Sequence, residues 1–519
     1  MARRLWLSSA MLATGAALLV AAQFASAAPE RKGGIFKVGT TGASVQIDPQ
    51  TSYVSTGWWL EYATAAKLYN YRPDGRLVPE VASRFEVSKG GKRYTFFLRK
   101  GFRFSDGTPV TARSFSYAFV RARNPALQSP GGQFLMKVRS VTAHGRTLVI
   151  TLSSNKVDLL ATVAMPFFQA TSTKLPVDRE VADVTSMADL PTAGPYAFAL
   201  NDLNRLTSLR RNPYWKPGPG RTAPRNLDGV DVQWNLDQQA AFHMVEANQL
   251  DEGPIPAAEQ QNLADRYGVN KSRFWVKPTD CIGLIALNNS RGVFQGNAPL
   301  RKAVNWALDR TAYSGPSFTR TPWTHLLPPG YPGSITKPRL QPYAPTANLT
   351  KARELAAGHL KDGRINVAFR SSGALNQAQA EVFRQALLNI GFAYDNITMT
   401  GLTGANIYDA LGKRGSRFDV GVSLGWCGDP YLFSGSIVPP YFPDVPQYRD
   451  RIAAALRLHG QARASALGKL DLDITKKVAP VVVTNTYNNL YFFSNRVAPK
   501  SLRYHGVYQD WSIPALALK

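Results

Sequence analysis

The sequence predicts a mixed α/β fold, and three observations carry that prediction. Short stretches of alternating apolar and polar residues suit half-buried strands, longer stretches with apolar residues at i, i+3 and i+4 suit helices, and the two kinds are interleaved along the whole chain. At 519 residues the chain is too long for one ordinary core, so two or three domains are expected. Its 41 glycines and 35 prolines imply many turns. With no low-complexity linker or internal repeat to divide it, the chain should pass between domains more than once.

Taken in order, residues 1–28 read as an export signal. Arg3 and Arg4 give a positive start, an apolar run covers 5–22, and Ala25-Ser26-Ala27 offers small residues for cleavage. The run is short and rich in small residues, which favours cleavage over a membrane anchor. No cysteine follows it, which argues against lipid attachment, and the paired arginines match a twin-arginine signal only weakly. Residues 34–39 alternate as an opening strand. Residues 93–104 read as a strand pair, Asp106-Gly107-Thr108-Pro109 as a tight turn, and 111–121 as a helix with Phe115, Ala118 and Phe119 on one face. A strand at 148–152 follows a turn at Gly145. Helices are expected at 299–310, with Pro299 at its start, and at 377–390 and 448–456. Two late strands, 481–486 and 490–493, complete the pattern.

Composition narrows the function. Removing Arg3 and Arg4 with the signal lowers the formal charge from +26 to +24, with basic residues scattered rather than clustered. A generally basic surface follows; nucleic-acid binding is not expected, because no basic element with interleaved aromatics and no named motif is present. No later stretch is apolar for long enough to span a bilayer. The six histidines, at 144, 243, 325, 359, 458 and 505, show no metal-ligand spacing, and no phosphate loop, Gly-x-Ser-x-Gly or dinucleotide fingerprint in a strand-helix setting occurs. No catalytic residue, metal or cofactor is therefore expected. Cys281 and Cys427 would by default form a disulfide in an oxidising compartment, with two buried thiols or redox chemistry as the alternatives.

Nine segments in order then give a resemblance: GGIFKVGT at 33–40, IDPQ at 47–50, LVPEVASRFEVS at 77–88, TFFLRKGFRFSDGTPVTA at 95–112, TAGPYAF at 192–198, RRNPYWKPG at 210–218, LNNS at 287–290, PLRKAVNWALDR at 299–310 and FDVGVSLGWCGDP at 418–430. Any one alone is weak. Together they resemble the family 5 extracellular solute-binding proteins, the oligopeptide- and dipeptide-binding receptors of ABC importers. The resemblance implies a two-lobed periplasmic-binding-protein-like fold of type II, with a small domain inserted in the N-terminal lobe. Lobe one would comprise 29–65, 190–280 and 485–519, the inserted domain 66–189, and lobe two 281–484, hinged near Asp280 and Thr484.

It also implies a ligand cleft between the lobes. Asp429, three residues after Trp426, would pair with a ligand ammonium group; equally, Asp429-Pro430 starts a turn, and many relatives carry a further acidic-Pro pair with which it would align instead. Gly425, Trp426 and Cys427 would lend backbone hydrogen bonds to an extended peptide, matched by Tyr53 across the cleft. Trp426 and Tyr53 are also ordinary core residue types. Some relatives carry a disulfide at the places of Cys281 and Cys427. The implied protein is a periplasmic monomer that delivers a peptide or small molecule to an ABC importer permease. The alternatives are a receptor for a metal chelate, opine or sugar derivative, or a signal sensor.

Overall fold

The structure, a computed structural model, describes residues 32–519 except 74, 89, 155–158, 222, 362, 413–414, 428–445 and 459. Two long antiparallel strands, Phe274–Leu287 and Val481–Phe493, pair with each other from Phe274↔Phe492 to Ala286↔Val481. Each belongs to both lobes. The late segment read from sequence as two strands is one, and Tyr487, Asn488 and Asn489 are its middle. The ends of both strands are buried, whereas 275–278, 280–281 and 487–490 are half-buried, so the polar interruption marks where the pair leaves one core and enters the next. The ladder is irregular there as well, with register shifts between Pro278 and Ile282 and between Gly283 and Leu284.

On one side lies the first lobe. Ile35–Gly39 runs parallel to Gly229–Gln233 and Glu252–Gly253, and Leu206–Arg211 and Tyr196–Asp202 extend the sheet. Phe36, Tyr196, Phe198, Trp234 and Trp511 fill one face, and Phe242, Val245, Phe274 and Phe492 the other. On the other side lies the second lobe, where Ile365–Arg370, Ile397–Leu402 and Val420–Cys427 are parallel. The helices Ala298–Ala307 and Ala374–Asn389 cover one face through Val304, Phe383 and Leu387, and Gly460–Lys477 covers the other through Leu467 and Ile474. Each large ring or aliphatic group withdrawn from water contributes about 1.5–3 kcal/mol.

A third body has its own core. Ala82–Val87, Arg93–Leu98, Thr147–Leu152 and Val138–His144 form a four-stranded antiparallel sheet in that order, with Phe96, Phe115, Phe119, Leu148 and Ile150 packed beneath the helix Ala112–Arg123. The segment 93–104 gives one strand rather than two, because Gly101 takes a positive φ of 87° and ends the extended run. The following turn has Gly107 at φ 83°, and Thr111 with Ser114 forms a capping box at the start of the helix. Further on, the helix expected at 299–310 stops at Ala307; Asp309 caps a separate short helix, Arg310–Ser314, by accepting from Ala312 N.

The small body is tied to the first lobe by a fully buried ion pair. Arg121 donates from both terminal nitrogens to the two carboxylate oxygens of Asp48, at 2.9 and 2.7 Å, and neither side chain is exposed. Arg121 also donates to the Pro176 and Arg179 carbonyls and to the Gln50 side chain, while Asp48 accepts from the Gln50 and Val181 amides. The Asp of the IDPQ segment is thus structural. Replacing Arg121 by Met strands an unpaired buried carboxylate and should cost about 3–5 kcal/mol. Guanidinium unfolding of Arg121→Met measures this, and a loss under about 1 kcal/mol contradicts the assignment.

Candidate ligand-binding site

Strand direction locates the site. Glu252–Gly253 is antiparallel to Val481–Phe493, and that strand is antiparallel to Phe274–Leu287, so the first lobe's parallel strands point towards the second lobe. Val420–Cys427 is antiparallel to Phe274–Leu287, so the second lobe's parallel strands point back. The carboxyl ends of both sets therefore face each other across the half-buried middle of the crossing strands. Open α/β sheets bind ligands at such ends, because the loops there are free to diverge and the strands supply a fixed base.

On the second lobe this edge is basic and rich in tyrosine. Beyond Val422, which pairs with Phe369, Val420–Cys427 has no strand neighbour on that side among the described residues. Tyrosine hydroxyls take its outward-facing groups instead. Ser423 N donates to Tyr313 Oη at 3.1 Å. Gly425 N donates to Tyr408 Oη at 3.2 Å, and Tyr408 Oη donates back to Gly425 O at 3.4 Å. Arg370, the last residue of its strand, donates from Nη2 to the same Tyr408 oxygen at 3.1 Å, and its buried Nε–H has no partner among the described residues. Arg320 stands opposite Tyr487 in the ladder. Burial holds the Tyr487 phenol above its ordinary value, with Arg320 and Arg370 pulling the other way. No acidic side chain among the described residues pairs with either arginine, so the edge presents two guanidinium groups without carboxylate partners beside main chain held only by tyrosine hydroxyls.

The sequence candidates separate into two places. Cys281 and Cys427 are bonded and directly opposed in register, with Cα atoms 4.0 Å apart. Gly425 and Trp426 precede this link and are half-buried, Trp426 packing against the second lobe's core. Tyr53 lies on the first lobe, 50% exposed, with ring contacts to Trp58, Phe134 and Phe167 and, among the described residues, none to the second lobe. It lines a groove of about 510 Å³ with Gln46, Val54, Leu127 and Gln128. Asp429 lies outside the described residues. Sequence reasoning missed Arg320, Arg370, Tyr408 and Tyr487. A signal for Arg370 was present, a charged residue closing the apolar strand INVAFR.

Acidic groups sit behind the first-lobe half of the floor. Burial pushes the Asp510 carboxyl up to about 7, against hydrogen bonds from Trp511 N and the Tyr491 hydroxyl. Burial, followed by repulsion from Asp510 and Asp251, holds Glu252 well above the ordinary glutamate value. Lys277 on the floor strand places Nζ 4.8 Å from the Trp275 ring centroid and 5.6 Å from that of Trp511.

Two α/β lobes that share a crossing strand pair and face each other with the carboxyl ends of their parallel strands define the class of extracytoplasmic solute-binding proteins. The chain belongs to the bacterial extracellular solute-binding proteins, family 5, whose middle-region family model matches residues 76–445. It is 23% identical over 368 residues to the dipeptide-binding protein DppE of Bacillus subtilis, covering 64% of this chain and 63% of that protein, so the match spans less than two thirds of the relative. It is 25% identical over 464 residues to the nickel-binding periplasmic protein of Escherichia coli, covering 82% of this chain and 85% of that one. Among solved structures, the unliganded open form of the periplasmic murein tripeptide-binding protein MppA superposes with a TM-score of 0.77 at 17% identity, over 95% of this chain and 99% of that one. Among the described residues no helix is long and apolar enough to cross a membrane.

Two outcomes follow. The disulfide closes a loop of 146 residues, so replacing both cysteines by serine should cost about 2–5 kcal/mol through the larger freedom of the unfolded chain. Denaturant unfolding of Cys281→Ser/Cys427→Ser under oxidising conditions reads this. For Asp510, a raised folded pKa means a contribution present below pH 3.8 and lost as pH rises to about 7. Asp510→Asn, which stays neutral, should therefore gain stability relative to wild type across that window in a melting-temperature series. A constant difference between the two proteins contradicts the assignment.

Proposed function

We propose that the chain is the exported receptor of an ABC importer, which binds short peptides or another amine-bearing solute between its lobes and delivers it to a membrane permease. The observation that carries this reading is the edge at Gly425, where main chain without a strand neighbour and two arginines without acidic partners among the described residues meet at opposed strand ends. Main-chain pairing is indifferent to side-chain identity, so one edge accepts many sequences, while a guanidinium pair selects a carboxylate. At the other end of the ligand, Asp429 would hold the ammonium group. It follows the disulfide by two residues, which anchors that end of the strand to the crossing pair before a ligand arrives. Tyr53 would face the ligand from the first lobe.

The lobes take the boundaries 29–65, 190–280 and 485–519 for lobe one, 66–189 for the inserted domain and 281–484 for lobe two. Separate cores and the register shifts in the crossing strands support hinge closure near Asp280 and Thr484. The protein acts in the periplasm as a monomer without a lipid anchor, after cleavage of residues 1–28. It works by binding alone and makes no use of nucleic acid, metal or cofactor.

Thermal-shift screening of the mature protein with di- to pentapeptides tests this. Free peptides should raise the melting temperature and their N-acetylated forms should not, Asp429→Ala should lose most of the affinity, and Arg370→Ala should weaken binding about 10- to 100-fold, as expected for a charge-assisted pair. Equal binding of acetylated and free peptides contradicts the role of Asp429. Turnover of the ligand contradicts the whole reading.

A further inference from the structure

One phenol oxygen does the work of three ligand contacts. Tyr408 Oη accepts from Gly425 N at 3.2 Å and from Arg370 Nη2 at 3.1 Å, and it donates to Gly425 O at 3.4 Å. These are the outward-facing groups of the free strand edge, and Arg370 is the cation that ends the neighbouring strand. Left bare, a buried or half-buried donor costs about 1–3 kcal/mol, so a tyrosine placed here keeps the empty site satisfied. We propose that Tyr408 is an internal stand-in for the ligand, and that its displacement is a cost common to every solute, recovered with a net gain by one whose terminal residue carries both a carboxylate and its own N–H. This deepens the proposed peptide-binding function and rests on it.

The groups that displacement uncovers give the selectivity. A carboxylate oxygen at the phenol's place accepts from Gly425 N and Arg370 together, and these bonds are charge-assisted where those to the phenol are not. The Nε–H of Arg370, partnerless among the described residues, offers a further donor on the same guanidinium. Removing the phenol also leaves Gly425 O without its donor. The N–H of the terminal residue meets that need, since in an antiparallel ladder two opposed residues exchange both N–H···O bonds. A solute with a neutral carbonyl in place of the carboxylate merely replaces what it displaces, so the gain over water is small. Specificity then resides in the difference between the two complexes, while the shared displacement of the phenol lowers the affinity for both. A ligand with a carboxylate and no neighbouring N–H strands Gly425 O and is also disfavoured.

Tyr408→Phe keeps the ring, which lies with Ile407 and Leu411 on a helix, Gly404–Gly412, that packs on the second lobe's core, and removes only the hydroxyl. In the ligand-free protein, hydrogen exchange at the Gly425 amide should be about tenfold faster in Tyr408→Phe than in wild type. Trialanine with a free carboxylate and its C-terminal amide should both bind the variant about fivefold more tightly than wild type, since each is relieved of the same displacement, and the preference for the free acid should be unchanged. Arg370→Gln, which keeps Tyr408, should abolish that preference outright. An unchanged Gly425 exchange rate overturns the proposal, as does weaker binding of trialanine by Tyr408→Phe, which would make the hydroxyl a direct ligand contact. If trialanine binds neither protein, the peptide reading fails, and the Gly425 exchange rate still decides whether Tyr408 holds that place.

Discussion

The ladder between Phe274–Leu287 and Val481–Phe493 is the constraint on which the molecule depends, because two strands must serve two cores at once. At each end they are ordinary buried strands, and their apolar side chains are locked by packing that the rest of the lobe supplies. In the middle no core surrounds them. Polar side chains are tolerated there, the register shifts, and Pro278 removes one donor. Half-buried main chain and side chains therefore lie between the two cores, where hinge closure is proposed.

Chain direction makes this crossing the candidate binding site. Strand ends from both lobes converge on the floor, and each brings what its local sequence happens to place last: Arg370 on one strand, Gly425 to Cys427 on another. The disulfide between Cys281 and Cys427 joins the second of these to a crossing strand, so the edge that faces the groove is held by a covalent link as well as by hydrogen bonds. The positive charge of the site echoes the strongly basic chain, whose formal charge is +26. Arg320 and Arg370 have no acidic partners among the described residues, whereas Arg121, equally cationic, is neutralised by Asp48.

The sequence made the class of the fold legible through collinear motifs and through periodicity in segments that pack on one core. Phe115, Ala118 and Phe119 share the buried face that their spacing suggests, and the disulfide joins the two cysteines that the chain contains. Periodicity misled where two bodies share an element: Tyr487, Asn488 and Asn489 broke an apolar pattern and suggested two strands, when they mark the crossing of one. It also extended the helix 299–310 past Ala307, because the apolar spacing continues through Leu308 although a second cap begins at Asp309. Motif resemblance does not distinguish binding from architecture, so the Asp of IDPQ gave no sign that it pairs with Arg121, 73 residues away. The groove's Arg320, Arg370, Tyr408 and Tyr487 come from four separate segments, and only the folded sheet brings them together.

Small-angle X-ray scattering of the mature protein with and without a saturating mixture of free peptides tests most directly whether two rigid lobes close on a guest about the shared ladder. The account predicts a smaller radius of gyration with peptide present and no change with the same mixture after acetylation. Scattering curves that superpose while bound peptide is recovered with the protein would contradict it.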